Sequence, residues 1–209
     1  MLHTAHLLLL LVLGYQTPRL LSAIPPSSPW NAVIGNTVLA VASVDAKGAV
    51  TQVRILQGVS PFIEEAARSI SQWHFEPAHL DGKAVPSEAT VIMMFRPHSF
   101  GNQGLGGSML GFTRPDTPKG DHAALPITLF DPEWPVGRFL YPGVVIFDLE
   151  LSEDGLIHQM RVVNEVPATT ELARQVVKQW NFMPAVRNGQ PVRSTVIVAI
   201  SFVPPVLHH

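Results

Sequence analysis

The chain has 209 residues, a formal net charge of -2 and no cysteine. That composition excludes disulfides, thiolate metal sites and cysteine catalysis. It also leaves out the basic footprint of a nucleic-acid binder. Only 14% of residues are charged, against roughly 25% in ordinary soluble domains. Either the sheets are covered on both faces, or some apolar surface is meant to be buried by something else.

In chain order, Leu7 to Leu13 is the first feature, a seven-residue apolar run. It is too short to span a membrane, which takes about 20 apolar residues, and it sits at the low end of a signal-peptide core. No Lys or Arg precedes it. Residues 1–23 are therefore an apolar N-terminal segment with the features of an exported leader cleaved after Ala23. An apolar helix and a misassigned start stay open beside that reading. Ile24 to Trp30 (I-P-P-S-S-P-W) is a stiff linker, because clustered prolines block both helix and ladder bonding.

From Val38 onward the chain repeats itself. Residues 38–97 overlay residues 145–204 at an offset of 107 without a gap. About 18 of 60 positions are identical, where chance gives roughly 4. The shared residues include Gly48/Gly155, Trp73/Trp180, Phe75/Phe182, Pro77/Pro184 and Gly82/Gly189. Two tandem units of about 65–70 residues follow, each small enough to be marginally stable alone.

Each unit reads the same way. Val38–Val44 is a strand, Asp45-Ala46-Lys47-Gly48 a hairpin turn, and Val50–Leu56 the return strand. Ser152-Glu153-Asp154-Gly155 and Ile157–Val163 are the counterparts. A helix follows, with Ser60 as N-cap, Pro61 at the first helical position and Glu64 near the capping-box position. Ile63, Ala66, Ala67, Ile70 and Trp73 form its apolar stripe. In the second unit the stripe is Leu172, Ala173, Val176, Val177 and Trp180, capped by Thr169 or Thr170. Next come a short extended piece, a Gly turn (Leu80–Lys83; Arg187–Gln190) and a long closing strand, Ser87–Phe95 and Ser194–Phe202. The predicted class is α+β: two tandem small units, each an antiparallel β-sheet with one helix packed across it, in strand-strand-helix-strand order. The first unit is bounded at 24–97 and the second at 127–205. Residues 98–126 form a Gly- and Pro-rich linker, and Ile127 to Phe130 leads into the second unit as a short strand.

The ordered set W-H-F-E-P-A (73–78) and W-N-F-M-P-A (180–185), each with its hairpin, helix, Gly turn and closing strand ending in Phe, resembles the C-terminal domain of TonB. Core packing is the preferred role for the signature residues Trp73, Phe75, Pro77, Trp180, Phe182 and Pro184. The resemblance implies a non-enzymatic protein of the periplasm of double-membraned bacteria. It implies that extended peptides of envelope or outer-membrane transport proteins are gripped as an added strand at a sheet edge. The family's usual docking edge is the closing strand, here Val91, Met93 and Phe95, or Val196, Val198 and Ile200. The chain departs from the family in three places. The apolar run is too short for the motor-coupled membrane helix. The long Pro-Lys/Pro-Glu spacer is missing. The opening Tyr-Pro pair is replaced by Trp134-Pro135 and only echoed by Pro29-Trp30. Energy transduction by this chain alone is not expected.

No catalytic, metal or cofactor motif stands out. Gly104-Leu105-Gly106-Gly107 lacks the Lys-Ser/Thr of a phosphate loop. Asp148 and Glu150 share a strand face, but Val41 and Ser43 align with them, so a solvated face is preferred over an acid pair. His74 becomes Asn181, and His158 aligns with Thr51; the copies keep scaffold residues and discard titratable ones. Two functional readings stand: a module binding envelope peptides by strand addition, or a structural protein whose two units pair edge to edge without a transport role; self-association through sheet edges is a further partner expectation.

Overall fold

The computed structural model describes residues 14–29, 35–95, 112–131, 143–167 and 169–202. The apolar run Leu7–Leu13, the Trp134-Pro135 and Trp30 positions, and Gly104–Gly107 lie outside them. Two short strands open the chain, β1 (Tyr15–Gln16) and β2 (Arg19–Ser22). The first unit follows as β3 (Asn36–Val44), β4 (Val50–Gln57), α1 (Phe62–Ile70), β5 (His74–Glu76), β6 (Ala78–Leu80), β7 (Lys83–Val85) and β8 (Ser87–Phe95). After β9 (Leu125–Thr128), the second unit repeats it as β10 (Gly143–Leu151), β11 (Ile157–Asn164), α2 (Thr169–Val177), β12 (Asn181–Met183), β13 (Ala185–Arg187), β14 (Gln190–Val192) and β15 (Ser194–Phe202). The α+β class and the repeated unit are as the sequence predicts.

The turns are set by backbone chemistry. Gly48 has φ +85° and Gly155 φ +82°. A Cβ on Gly48 would run into the carbonyl of Phe75, and one on Gly155 into that of Phe182. The hairpin tip thus rests directly on the signature segment, and the Phe75 amide donates to the Gly48 carbonyl at 2.8 Å. This contact explains why the glycine and the W-x-F-x-P core persist together in both copies. Helix α1 starts at Phe62 without the expected Ser60 cap; Pro61 holds the cap position and makes no side-chain cap bond. In α2 the two threonines lie inside the first turn, and both hydroxyls donate to the Val166 carbonyl. The buried positions of α1 are Phe62, Ala66, Ser69 and Ile70, so the apolar stripe is rotated slightly from the sequence reading.

The six long strands make one sheet in the order β11-β10-β15-β8-β3-β4. Neighbours are antiparallel except at the centre, where β15 and β8 run parallel from Thr195↔Ala89 to Ile200↔Met94. Exchanging two parallel neighbours requires a rotation about an axis lying along the strands, which turns the sheet over. The two helices therefore sit on opposite faces. One core places α1 residues Ala66 and Ile70 against Val91 and Met93, and it continues into Val144, Ile146, Ile197 and Ala199 of the second unit. The other places α2 residues Ala173 and Val177 against Val196, Val198 and Ile200, and it continues into Leu39, Ile92 and Met94 of the first. The middle of the sheet is covered on both faces, which accounts for the low charge.

Each unit alone would leave the sheet face opposite its helix bare. The lead-in strands fill that gap. β2 pairs with β5 of its own unit, yet Leu20 lies in the core that includes Ile146 and Ile197 of the other. β9 pairs with β12, while Leu125 and Leu129 pack in the core holding Leu39 and Ile92. Tyr15–Ser22 is thus paired and packed within the fold.

Candidate functional site

The residues expected at a docking edge are at the centre of the sheet. Val91, Met93 and Phe95 face α1 and are at most 1% exposed, and Val196, Val198 and Ile200 face α2 at 0%. Both ladders of β8 are used, by β3 and β15, and both ladders of β15, by β10 and β8. A peptide adding to either strand has to displace the other. Among the described residues of this sheet, the strands with one neighbour are β4 and β11.

The signature residues form the seam between helix, sheet and lead-in. Trp73 and Phe75 are 1% and 2% exposed, and Trp180 and Phe182 3% and 4%. Each indole N–H crosses to the lead-in of its own unit. Trp73 donates to the Ile24 carbonyl at 3.1 Å and Trp180 to the Phe130 carbonyl at 2.9 Å. A buried indole needs such a partner, and these bonds fix where the lead-in meets the helix. Pro77 and Pro184 separate the short strands on either side of them.

The polar feature of most interest was not legible as such. Asp148 is not on a solvated face: it is 6% exposed. It accepts from Arg161 Nη2 at 2.6 Å and from the backbone N–H of Leu20 at 2.9 Å. Arg161 also donates to the Leu20 carbonyl. Burial pushes the Asp148 carboxyl above its ordinary range, outweighing the downward pull of Arg161 and of the Leu20 amide. Glu150, two residues on, meets Arg193 at 3.5 Å and makes no acid pair with Asp148. The first unit has Val41 in place of Asp148, and Arg54, the counterpart of Arg161, meets Glu88 at 3.7 Å. Asp148 has no counterpart in the first unit, whereas Arg54 and Arg161 are shared, and that shared arginine is the sequence signal of the pair.

A cavity of about 110 Å³ lies at the seam between the units, lined by Tyr15, His122, Arg187, Arg193 and Ser194 among others. The Arg187 guanidinium stacks over the Tyr15 ring at 5.3 Å, and Asp121 accepts from the Asn188 and Gly189 amides. These contacts tie the lead-ins to the Gly turn. Among the described residues, no group of three or more His, Asp or Glu is placed to hold a metal ion, and no helix is long and apolar enough to cross a membrane.

No curated protein matches the chain. The model of the family described as Gram-negative bacterial TonB protein C-terminal matches it twice, over residues 33–97 and 141–204. The two matches coincide with the two strand-strand-helix-strand units and together cover more than half of the sequence. That family consists of protein-interaction domains of the bacterial envelope. With both signature cores packed in equivalent seams, the chain belongs to the TonB C-terminal family and carries two copies of its domain in tandem.

Proposed function

We propose that this protein is a non-enzymatic periplasmic assembly module. On this reading it presents a closed tandem body to protein partners of the envelope and does not lend its closing strands to transporter peptides. The observation that carries the reading is the parallel β8–β15 ladder, six paired positions long and buried on both faces. Opening it would expose apolar residues of two cores at once, at about 25 cal/mol for each Å² exposed. A weakly bound peptide returns little of that cost, because strand addition draws its affinity chiefly from the backbone bonds it gains.

A second reading keeps strand addition but moves it. Extended peptides of outer-membrane transport proteins would then add at β4 or β11, whose exposed positions include Arg54 and Leu56 on the first and His158 on the second. Titration with transporter-derived peptides, followed through backbone amide shifts, separates the two modes. The assembly reading expects no shifts along residues 88–95 and 195–202. Saturable shifts there would overturn it, and shifts confined to residues 50–57 or 157–164 would favour the second reading.

A further inference from the structure

Leu20 is gripped by its backbone from two sides. Its N–H is bound by Asp148 and its carbonyl by Arg161, and the two side chains are bonded to each other. Its own side chain is 0% exposed. Two residues earlier, Thr195 Oγ1 donates to the Pro18 carbonyl at 2.5 Å. All three gripping side chains belong to the second unit, and the gripped segment is the lead-in of the first.

The fold does not require this device. In the first unit Val41 stands where Asp148 stands, and that sheet face is covered by the other lead-in with no acid at the position. A buried ion pair adds little net stability over an apolar pair of similar volume. What it adds is recognition, because one Asp–Arg pair reads the N–H and C=O of a single extended residue, groups that every extended peptide offers. The rest of the grip on the segment consists of backbone ladders to β5 and β6, which any extended peptide can make, with the exposed Arg19–Glu76 pair and Tyr15 under Arg187. Only Leu20 is buried in β2, and Leu21 is 59% exposed. The chain is pinned again just beyond: the Ile24 carbonyl accepts from Trp73 Nε1 and Ser69 Oγ, and the Ser27 amide donates to Glu65. Residues 24–27 are thus held on the first unit by contacts that do not involve residues 15–23.

We propose that this groove is a binding site for an extended peptide of a partner protein. The peptide places a leucine-like side chain in the Leu20 pocket and its amide and carbonyl on Asp148 and Arg161, with residues 15–23 as an exchangeable internal occupant. The proposal rests on the protein-binding reading of the family and is independent of which sheet edge is free.

The test uses the full chain with a protease site introduced at Ser22-Ala23, cleaved after folding. The probe is a fluorescent peptide with the sequence of residues 14–23. The nicked protein is expected to take up the probe saturably, and a probe with Asp in place of Leu20 is expected to fail. Asp148→Asn is expected to weaken uptake by roughly thirtyfold, the effect of leaving one partner of a buried charged pair unmatched. In the intact chain, Leu20→Asp is expected to expel the lead-in and raise probe affinity above wild type. Unfolding on nicking, retention of the native segment without exchange, exchange only between copies, or equal binding of the Asp probe would each overturn the proposal. Loss of the central β8–β15 pairing in the peptide titration above would overturn the assembly reading and leave this result standing.

Discussion

Truncating Leu20 to alanine tests whether the lead-in is part of the fold. The side chain is fully buried against residues of both units. Removing three carbons costs about 2.4 kcal/mol in transfer at ~0.8 kcal/mol per methylene. The groove walls are strands buried on both faces and collapse little, so a cavity term raises the total to about 3–4 kcal/mol, within the range of measured Leu→Ala changes. For a chain of this size that corresponds to a fall in Tm of roughly 6–16 °C. The neighbouring Leu21→Ala, at a residue 59% exposed, is the control and should stay within about 0.5 kcal/mol. Urea unfolding followed by tryptophan fluorescence and far-UV dichroism, with m-values compared, measures both. A Leu20→Ala cost below about 1 kcal/mol, equal to that of Leu21→Ala, would refute the packing argument.

The remaining predictions concern the turns, the seam and pH. Gly48→Ala should cost at least about 2 kcal/mol, combining positive-φ strain with a clash on the Phe75 carbonyl. Gly189→Ala, with φ +72° but open space around it, should cost about 1 kcal/mol; denaturation midpoints rank the two. Trp180→Phe strands the Phe130 carbonyl and should cost about 2 kcal/mol, checked by the same unfolding curves. Backbone amides at Asn188 and Gly189 hold the Asp121 carboxyl below its ordinary range. Its stabilising contribution is therefore present above the ordinary carboxylate range and is lost as pH falls through the lowered value. Asp121→Asn should flatten the acid limb of a stability–pH profile. Asp148 runs the other way. Its raised value makes its contribution complete below the ordinary range and progressively lost as pH rises through that value. The stability of the wild type relative to Asp148→Asn should accordingly fall as pH rises from about 4.

The unit was legible because local chemistry specifies it. Glycines at Asp-Gly and Asn-Gly turns, the helix stripe ending at Trp73 or Trp180, and the W-x-F-x-P core are short-range patterns, and the repeat doubled each signal. The pairing of units was written less plainly. Val91-Ile92-Met93-Met94 and Val196-Ile197-Val198-Ala199-Ile200 are unbroken apolar runs. Such runs mark strands buried on both faces, typical of central positions in covered sheets, not docking edges. The lead-ins were illegible for another reason. Pro18–Ile24 and Leu125–Asp131 share the 107-residue offset but no identity, because their job is to cover the opposite unit and the two units present different faces. On one side Asp148 and Arg161 hold the backbone of Leu20; on the other Val41 is apolar and Thr90 donates to the Ala124 carbonyl. Long-range contacts of that kind leave no periodicity within either segment.

Native-state hydrogen exchange resolved by residue tests most directly whether the two closing strands are joined. If β8 and β15 pair at the centre of one sheet, the amides of residues 89–94 and 195–200 that point into the shared ladder exchange only through global unfolding. Their opening free energies then equal the stability from denaturation and exceed those of β4 and β11. Exchange of those amides at edge-strand rates, faster than the amides of β3 and β10, would contradict the pairing and return the closing strands to the role of open docking edges.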